Sequence, residues 1–337
     1  MAAALAQRRA DGLYPTNFVR DLAQIADLIE LCFAAQMDSG GRSAVSEMKV
    51  ISHLGPLVWL LALIDRYVAG LGSGFVWRVN GKVVGNVSLY RAGAHPRLGP
   101  GWMIANVATH PDFRRRGIAV ALMEATIERA RRQGGDWVSL EVEADNTGAQ
   151  ALYERLGFAR YETLTLWENP AFYGSLTPVG TARWPVRRRR WADNQAEIAL
   201  IFDRARRGAM IWTQPIDQQM VTSGPSELLD IALTGTARER GVLDDAAMPG
   251  RLAGSLWVEL HGWHSARITQ FVDPELSDPA AGQSLLTFLL GSGSYDGWSL
   301  RVETVQDETT AAYLRRLGFR QTRALTQMRL DLAGRRD

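Results

Sequence analysis

The same domain-sized pattern occurs twice in the chain, and this duplication constrains the fold more than any other feature of the sequence. Three segments return in the same order: ALYERLGF (151–158) as AYLRRLGF (312–319), SLEVE (139–143) as SLRVE (299–303), and GKVVGNVSL (81–89) as GRLAGSLWV (250–258). The spacing between the copies is close to half of the 337 residues. Repetition at such a spacing indicates two copies of one structural unit.

The boundary between the copies is predicted where the regular pattern fails. The segment 168–185 is rich in proline, glycine and small residues, which is typical of a connection. We therefore expect one domain over 1–175 and a second over 176–337. The run Arg187–Arg190 opens the second copy, and we expect it to lie along a partly exposed first strand rather than to form a binding patch.

Each copy reads as strand, helices, hairpin, strand, helix, strand, helix, strand. Apolar residues at helical spacing indicate the helices, and apolar runs bounded by turn residues indicate the strands. The main elements of the first copy are a helix over 21–36, a hairpin over 75–91 that turns at Asn80-Gly81, and strands over 103–109 and 137–144. This alternation predicts the α/β class, with a mixed central sheet flanked by helices in each domain.

Composition narrows the class of protein. Hydrophobic residues make up 46% and charged residues 22% of the chain, which is typical of a globular protein. A formal net charge of +2 gives no electrostatic reason to expect a nucleic-acid partner. The single cysteine, Cys32, predicts no disulfide framework and favours a reducing, cytoplasmic location. The N-terminus lacks a secretory pattern. The apolar run 54–64 is about half a membrane span, so we expect a buried helix there and no membrane partner.

Three arginines and a glycine stand directly before an amphipathic helix. The stretch HPDFRRRGIAVALMEATIERA (110–130) follows a predicted strand, and Gly134-Gly135 stops the helix. A helix start presents unpaired N–H groups with a partial positive charge, and Gly117 lets a ligand approach the backbone closely. Arginines beside such a turn are suited to binding a pyrophosphate group.

These residues resemble the pyrophosphate loop of the GNAT superfamily of N-acetyltransferases, Arg/Gln-x-x-Gly-x-Gly/Ala, which Arg114, Gly117 and Ala119 satisfy. A second segment similar to the family follows at the right distance, EVEADNTGAQALYERLGF (141–158). The doubled chain resembles the tandem, mycothiol-synthase-like members of the superfamily. The resemblance implies two tandem GNAT domains and acetyl-CoA as co-substrate, with no metal ion.

The resemblance also implies roles for individual residues. Asn146 can cap the helix that follows it, and the resemblance implies that it also helps to hold the pantetheine arm. Tyr153 would face the acetyl-CoA sulfur as general acid. The backbone of strand four would polarise the thioester carbonyl where that strand splays from strand five. The implied cofactor-binding set is Val107, Ala108, Thr109, Arg114, Arg115, Arg116, Gly117, Ile118, Ala119 and Asn146.

The general base does not stand in the usual place of the family. Many members carry a glutamate on strand four, but MIANVAT (103–109) has none. Glu141 and Glu143 share one face of the next strand, and His110 lies at the loop entrance. Each can act directly or through water, or have a structural role. We take Glu141, with Tyr153, as the candidate catalytic pair.

The second copy keeps the hydrophobic pattern but lacks the residues to which the resemblance assigns binding or catalysis. Alignment of Pro274 with Pro111 replaces Arg114 by Ser277, Arg116 by Pro279 and Gly117 by Ala280, and alignment of AYLRRLGF with ALYERLGF replaces Asn146 by Asp307 and Tyr153 by Leu314. We therefore predict that 176–337 is a degenerate, non-catalytic GNAT domain that completes an interface or shapes the acceptor site.

The sequence thus predicts an acetyl-CoA-dependent N-acetyltransferase that acts in a direct ternary complex on a primary amine of a small molecule or peptide. The alternatives are a non-catalytic acyl-CoA-binding sensor or interaction protein, and an acyltransferase that uses a longer acyl-CoA. Acceptor contacts are expected from three segments, 38–55, 91–102 and 166–174. Trp102, Trp167 and Tyr173 either line a pocket there or belong to the core. An oligomer is compatible with the sequence.

Overall fold

The computed structural model describes residues 11–34, 37, 39–52, 74–95, 98–174, 184–205, 210–211, 214–215, 237–260, 264–276, 278, 280–291 and 293–332. The apolar run 54–64, for which a buried helix is predicted, lies outside these residues. Within the described ranges, the chain forms seven α-helices and fourteen strands, and both halves follow the predicted order.

Local sequence signals set several element bounds in the first half. Asn80 and Gly81, with φ of 50° and 79°, form the tight turn of the predicted hairpin. Gly117 and Gly134 flank the amphipathic helix, and both adopt a left-handed φ of 77°. The elements are β1 (Gly12–Pro15), α1 (Phe18–Phe33), α2 (Ser39–Ser52), β2 (Phe75–Val79), β3 (Lys82–His95), β4 (Gly99–Thr109), α3 (Ile118–Arg132), β5 (Trp137–Glu143), α4 (Thr147–Arg155) and β6 (Ala159–Phe172).

The second half repeats this order with one addition. Its elements are β7 (Val186–Arg188), α5 (Asn194–Ile198) continued by a π-helix (Ala199–Ala205), β8 (Met210–Ile211), β9 (Gln214–Pro215), β10 (Ala237–Asp244), β11 (Leu252–Leu260), β12 (Ser265–Val272), α6 (Ala280–Leu290), β13 (Trp298–Val305), α7 (Glu308–Arg316) and β14 (Arg320–Asp331). The pair β8–β9 forms a separate two-stranded sheet, which has no counterpart among the described elements of the first half.

The first two arginines of the run that opens the second half, Arg187 and Arg188, lie on the partly exposed strand β7, as expected. The Arg187 side chain binds Asp193 at 2.8 Å and Asp244 at 2.7 Å. Arg189 binds the buried Glu197 at 2.8 Å. These arginines are therefore held in ion pairs, as parts of the fold.

Twelve strands form one continuous sheet in the order β1-β2-β3-β4-β5-β14-β6-β13-β12-β11-β10-β7. The last strand of each half lies inside the other half. β14 pairs antiparallel with both β5 and β6, and β6 pairs antiparallel with both β14 and β13. The two halves are therefore interlocked at the centre of the sheet, an arrangement that the sequence analysis did not anticipate.

The strand β6 continues to Phe172, so that residues 168–172 of the predicted irregular connection are regular strand. Its backbone pairs with β13 from Phe172 opposite Trp298 to Leu164 opposite Val305. Pro170 lies at an irregularity of this ladder, where a proline does not interrupt strand pairing. Pairing with the second half thus keeps a proline-containing segment extended.

The sheet of the first half is covered on both faces. α3 and α4 pack on one face, and α1 and α2 pack on the other. Because side chains alternate along a strand, Val138, Leu140 and Val142 of β5 face the α3–α4 layer. Glu141 and Glu143 consequently face the α1–α2 side.

Candidate active site

The parallel strands β4 and β5 part in the middle of the first half. They are paired only from Gly101 opposite Trp137 to Met103 opposite Ser139, although β4 runs on to Thr109. Beyond Met103 the backbone groups that β4 would share with β5 leave the ladder. The opening therefore extends along β4 from residue 104 to Thr109.

Asn106 forms a bulge in β4 at this opening. Its φ of 54° is left-handed, and the pairing of β4 with β3 is irregular between Asn86 and Ser88. The Asn106 side-chain amide donates to Ser88 Oγ at 3.3 Å and to Tyr90 Oη at 3.2 Å. The Asn106 carbonyl accepts from Asn86 Nδ2 at 2.9 Å. This polar network holds the bulge in place.

The end of β4 directs backbone groups away from β3. The His110 N–H donates to the Val84 carbonyl of β3 at 2.9 Å, and neighbouring residues of a strand point their backbone groups in opposite directions. The Thr109 carbonyl accepts from Arg114 Nε at 3.3 Å and from the half-buried Cys32 Sγ at 3.5 Å. Burial raises the pKa of the Cys32 thiol. Arg114 is thus folded against the edge of the opening.

The arginine loop forms an exposed turn before α3. Arg115 and Gly117 have φ of 60° and 77°, so two of its backbone units are left-handed. Arg116 donates to the Asp112 carbonyl at 2.9 Å. His110 Nδ1 accepts from the Asp112 N–H at 3.3 Å, which gives His110 a structural contact beside the loop. Turns of this kind present successive N–H groups to an anion.

The N-terminus of α3 is open. No side chain caps it, and the first helical hydrogen bond runs from the Ala121 N–H to the Gly117 carbonyl at 3.0 Å. A side chain at Gly117 would meet no heavy atom within 4 Å, so there is free space beyond the loop. Because these N–H groups stand beside the exposed Arg114–Arg116, the site fits a pyrophosphate group.

Asn146 is the N-cap of α4 and Tyr153 lies on that helix, which directly follows β5 in the chain. Asn146 Oδ1 accepts from the Ala149 N–H at 3.1 Å and caps the helix as predicted. The buried Tyr153 ring lies 6.1 Å from that of Phe158, in one cluster with Leu140. Burial raises the pKa of Tyr153 to about 12. The phenol is therefore protonated at neutral pH and can act as a proton donor.

Glu141 and Glu143 are both contacted by β14 of the second half. Gln327 Nε2 donates to Glu141 Oε1 at 2.8 Å, and Arg323 forms an ion pair with Glu143 at 2.5 Å. Glu143 is thus held in an ion pair with the second half, whereas Glu141 accepts a hydrogen bond from a neutral amide of the same strand.

The corresponding helix start in the second half is closed. Asp278 Oδ1 accepts from the Ala280 N–H at 3.0 Å, so a carboxylate of the chain itself caps α6. Asp278 Oδ2 accepts from Trp184 Nε1 at 2.9 Å. The aligned Ser277 and Pro279 lie outside the described residues. A second anion would meet a negative charge at this helix start.

The strands of the second half also stay together longer. β12 and β13 are paired from Ser265 opposite Ser299 to Thr269 opposite Glu303. The position that a tyrosine occupies in α4 is taken in α7 by the fully buried Leu314. These features agree with the predicted loss of chemistry in this half.

The aromatic residues predicted near the acceptor divide between core and surface. Trp102 and Trp167 are 7% and 1% exposed and belong to the core, whereas Tyr173 is 77% exposed. Among the described residues, no group of three or more His, Cys, Asp or Glu side chains is placed to bind a metal ion. Within the same ranges, no helix combines the length and the apolar character that crossing a membrane requires.

Two residues of the candidate site have little or no signal in the local sequence. The bulge residue Asn106 carries only a weak signal, since asparagine tolerates a left-handed φ better than most residues. Gln327 is far from Glu141 in sequence, and no local pattern shows that β14 lies beside β5.

The fold is that of tandem GNAT proteins. A tandem GNAT protein from the clavulanic acid biosynthesis pathway superposes with a TM-score of 0.50 at 17% identity, over 96% of this chain and 98% of that one. The likeness covers both halves, and at this identity it concerns the fold alone.

The chain belongs to the acetyltransferase (GNAT) family, whose model matches residues 47–158. It is 39% identical over 134 residues to the N-alpha-acetyltransferase MAK3 of Arabidopsis thaliana, which covers 35% of this chain and 70% of that protein. It is 37% identical over 110 residues to a mycothiol acetyltransferase of Paenarthrobacter aurescens, which covers 31% of each chain. The chain spans only 31% to 42% of the length of this and two further curated relatives.

Proposed function

We propose that the chain is an acetyl-CoA-dependent N-acetyltransferase whose first half, 1–175, is catalytic and whose second half, 176–337, is not. The observation that carries the proposal is the open N-terminus of α3 beside the parting of β4 and β5. An anion-binding turn and an opening in the sheet are what a long ligand with a pyrophosphate at one end and a thioester at the other requires.

Each part of the site has a role in this proposal. Residues 114–119 hold the pyrophosphate through backbone N–H groups and guanidinium groups. Asn146 holds the pantetheine arm. The backbone of Val107–Thr109 polarises the thioester carbonyl, an effect worth about 3 kcal/mol per hydrogen-bond donor.

The reaction needs one proton acceptor and one proton donor. The amine nitrogen forms a bond to the thioester carbonyl carbon, and the carbon–sulfur bond breaks. The amine proton passes to Glu141, directly or through water, and Tyr153 donates its proton to the departing thiolate. Burial keeps the Tyr153 phenol protonated until this step.

A low-pKa amine is the proposed acceptor. An amine of pKa 10.4 is unprotonated to well under 0.1% at pH 7, whereas an α-amine near pKa 8 is about 10% unprotonated. A site whose base is a single glutamate is better matched to the α-amine, because a larger share of that amine is already unprotonated. Relatives named N-alpha-acetyltransferase and ribosomal protein bS18-alanine N-acetyltransferase support an α-amine of a peptide or small molecule.

Calorimetric titration with acetyl-CoA tests the proposal. We expect one site per chain, and loss of binding in the double variant Arg114→Glu, Gly117→Asp. Arg131→Glu makes the same charge change as Arg114→Glu at the far end of α3, about 20 Å away, and should bind as the wild type does. No binding by the wild type would overturn the proposal.

The titration is followed by an assay of CoA release with peptides and small molecules that carry primary amines. Turnover with one of them would separate an acetyltransferase from a sensor that only binds acyl-CoA. A preference for longer acyl-CoA donors would identify an acyltransferase that uses a longer acyl-CoA. On the ground of the single cysteine, we propose the cytoplasm as the compartment.

A further inference from the structure

Gln327 belongs to the second half of the chain, yet its side chain lies in the first half. It stands on β14 opposite Glu141 of β5 on one side and Glu162 of β6 on the other. The side chain is completely buried, and its Nε2 donates to Glu141 Oε1 at 2.8 Å. The register of three strands therefore fixes this amide against the candidate base.

The two halves differ at this position. The centre of the sheet is nearly symmetric about Leu164 opposite Leu325. Two residues further along each strand, Gln327 faces Glu141, whereas Leu166 faces Glu303. Glu303 is 1% exposed and lies 3.5 Å from Arg267 of its own half. The repeat equates Leu166 with Gln327 and Glu303 with Glu143, so the fold accepts an aliphatic residue at the place that Gln327 occupies.

Strand β14 contacts two carboxylates of β5, Glu141 through a neutral amide and Glu143 through a guanidinium group. Arg323 pairs with Glu143 on the same face, at 2.5 Å. Further charged groups of this face include Glu162 and Glu168 on β6 and Arg329 on β14; Glu168 pairs with Arg301 at 2.9 Å and Arg329 with Asp331 at 2.8 Å. The Gln327 amide is a neutral donor, and its hydrogen bond fixes the orientation of the Glu141 carboxylate.

We propose that Gln327 is a positioning residue for Glu141, and that the second half thereby completes the active site of the first. The inference rests on the proposed function, in which Glu141 accepts the amine proton. It gives the degenerate half a direct part in turnover in addition to its part in the fold.

The test compares Gln327→Met with Thr326→Val. Methionine keeps the length and volume of glutamine and removes the donor. Thr326 is the preceding residue of β14 and points to the opposite face, opposite Val142, so its variant controls for disturbance of the strand. Acetyl-CoA affinity is measured first and should equal that of the wild type in both variants.

Two readouts then follow. Isotope-labelled glutamate carboxyl groups are titrated by NMR, with the Glu141 signal assigned through Glu141→Gln. Loss of one hydrogen bond should move the midpoint of that signal upward by about half to one pH unit in Gln327→Met. The acidic limb of kcat should move in the same direction and kcat should fall roughly 10-fold, with the KM for acetyl-CoA unchanged.

Each outcome decides between the possibilities. A shift in Gln327→Met alone, with kcat reduced, supports the positioning role. An unchanged titration and unchanged kcat would overturn it, and so would loss of acetyl-CoA binding, since that would make the amide a structural group. A wild type that neither binds acetyl-CoA nor acetylates any amine would instead remove the proposed function itself.

Discussion

At the scale of single residues, burial decides what Tyr153 can do. Its phenol lies in an apolar cluster between β5 and α4, and burial raises the pKa of Tyr153 to about 12. The neutral form, which is the form a proton donor needs, is therefore retained through the whole physiological range. Ionisation of this residue should not reduce turnover below about pH 10.

Tyr153→Phe tests this role. Removal of the hydroxyl should leave acetyl-CoA affinity unchanged and lower kcat about 100-fold or more, because the departing thiolate loses its proton donor. Calorimetry and a CoA-release assay measure the two quantities separately.

Tyr313→Phe is the matched control in the second half. Tyr313 is buried on α7, and its hydroxyl lies 2.5 Å from Thr287 Oγ1. Its variant should lower the melting temperature and leave turnover intact. Full activity in Tyr153→Phe would exclude that residue from the mechanism and would favour a different proton donor.

At the scale of elements, the N-caps of α4 and α7 are equivalent in structure and differ in their proposed function. Asn146 Oδ1 accepts from the Ala149 N–H at 3.1 Å, and Asp307 Oδ1 accepts from the Thr310 N–H at 2.9 Å. Both contacts stabilise a helix start. Only the first lies beside the parted strands.

Asn146→Ala and Asp307→Ala should therefore separate stability from binding. Each should cost about 1 kcal/mol of unfolding free energy, since each removes one N-cap. Only Asn146→Ala should also weaken acetyl-CoA binding. Denaturant unfolding and calorimetric titration of both variants measure this. Equal loss of acetyl-CoA affinity in the two variants would contradict a specific role of Asn146.

The elements that the sequence predicts are those set by neighbouring residues. Residues within a few positions specify three of these features: the Asn80-Gly81 turn, the Asn146 cap and the glycine that precedes α3. The bulge at Asn106 depends instead on Ser88 and Tyr90 of the adjacent strand. Strand pairing joins residues that are far apart in sequence, so no local pattern predicts that β14 lies beside β5.

At the scale of the whole molecule, the interlocked strands make the two halves depend on each other. Without β14, one edge of β5 and one edge of β6 would lose their partners. Exposed edges with unpaired N–H and carbonyl groups readily pair with other chains. The predicted boundary at 175 therefore separates two sequence copies that share one sheet.

A fragment of residues 1–175 should consequently self-associate. Size-exclusion chromatography with light scattering measures its mass, and addition of the fragment 176–337 should convert it to a one-to-one complex. The full chain under the same conditions is the reference. A monomeric 1–175 fragment that binds acetyl-CoA with the affinity of the full chain would show that β14 is dispensable.

The shared sheet also sets an order of events during synthesis. Gln327 meets Glu141 across 186 residues of sequence. At the usual speed of translation, roughly 10 to 40 seconds pass between the two on the ribosome. During that interval β5 lacks the neighbour that it has in the folded sheet. A chain that stops before β14 never acquires the amide beside its glutamate, so the completeness of the proposed site reports that synthesis has passed residue 331.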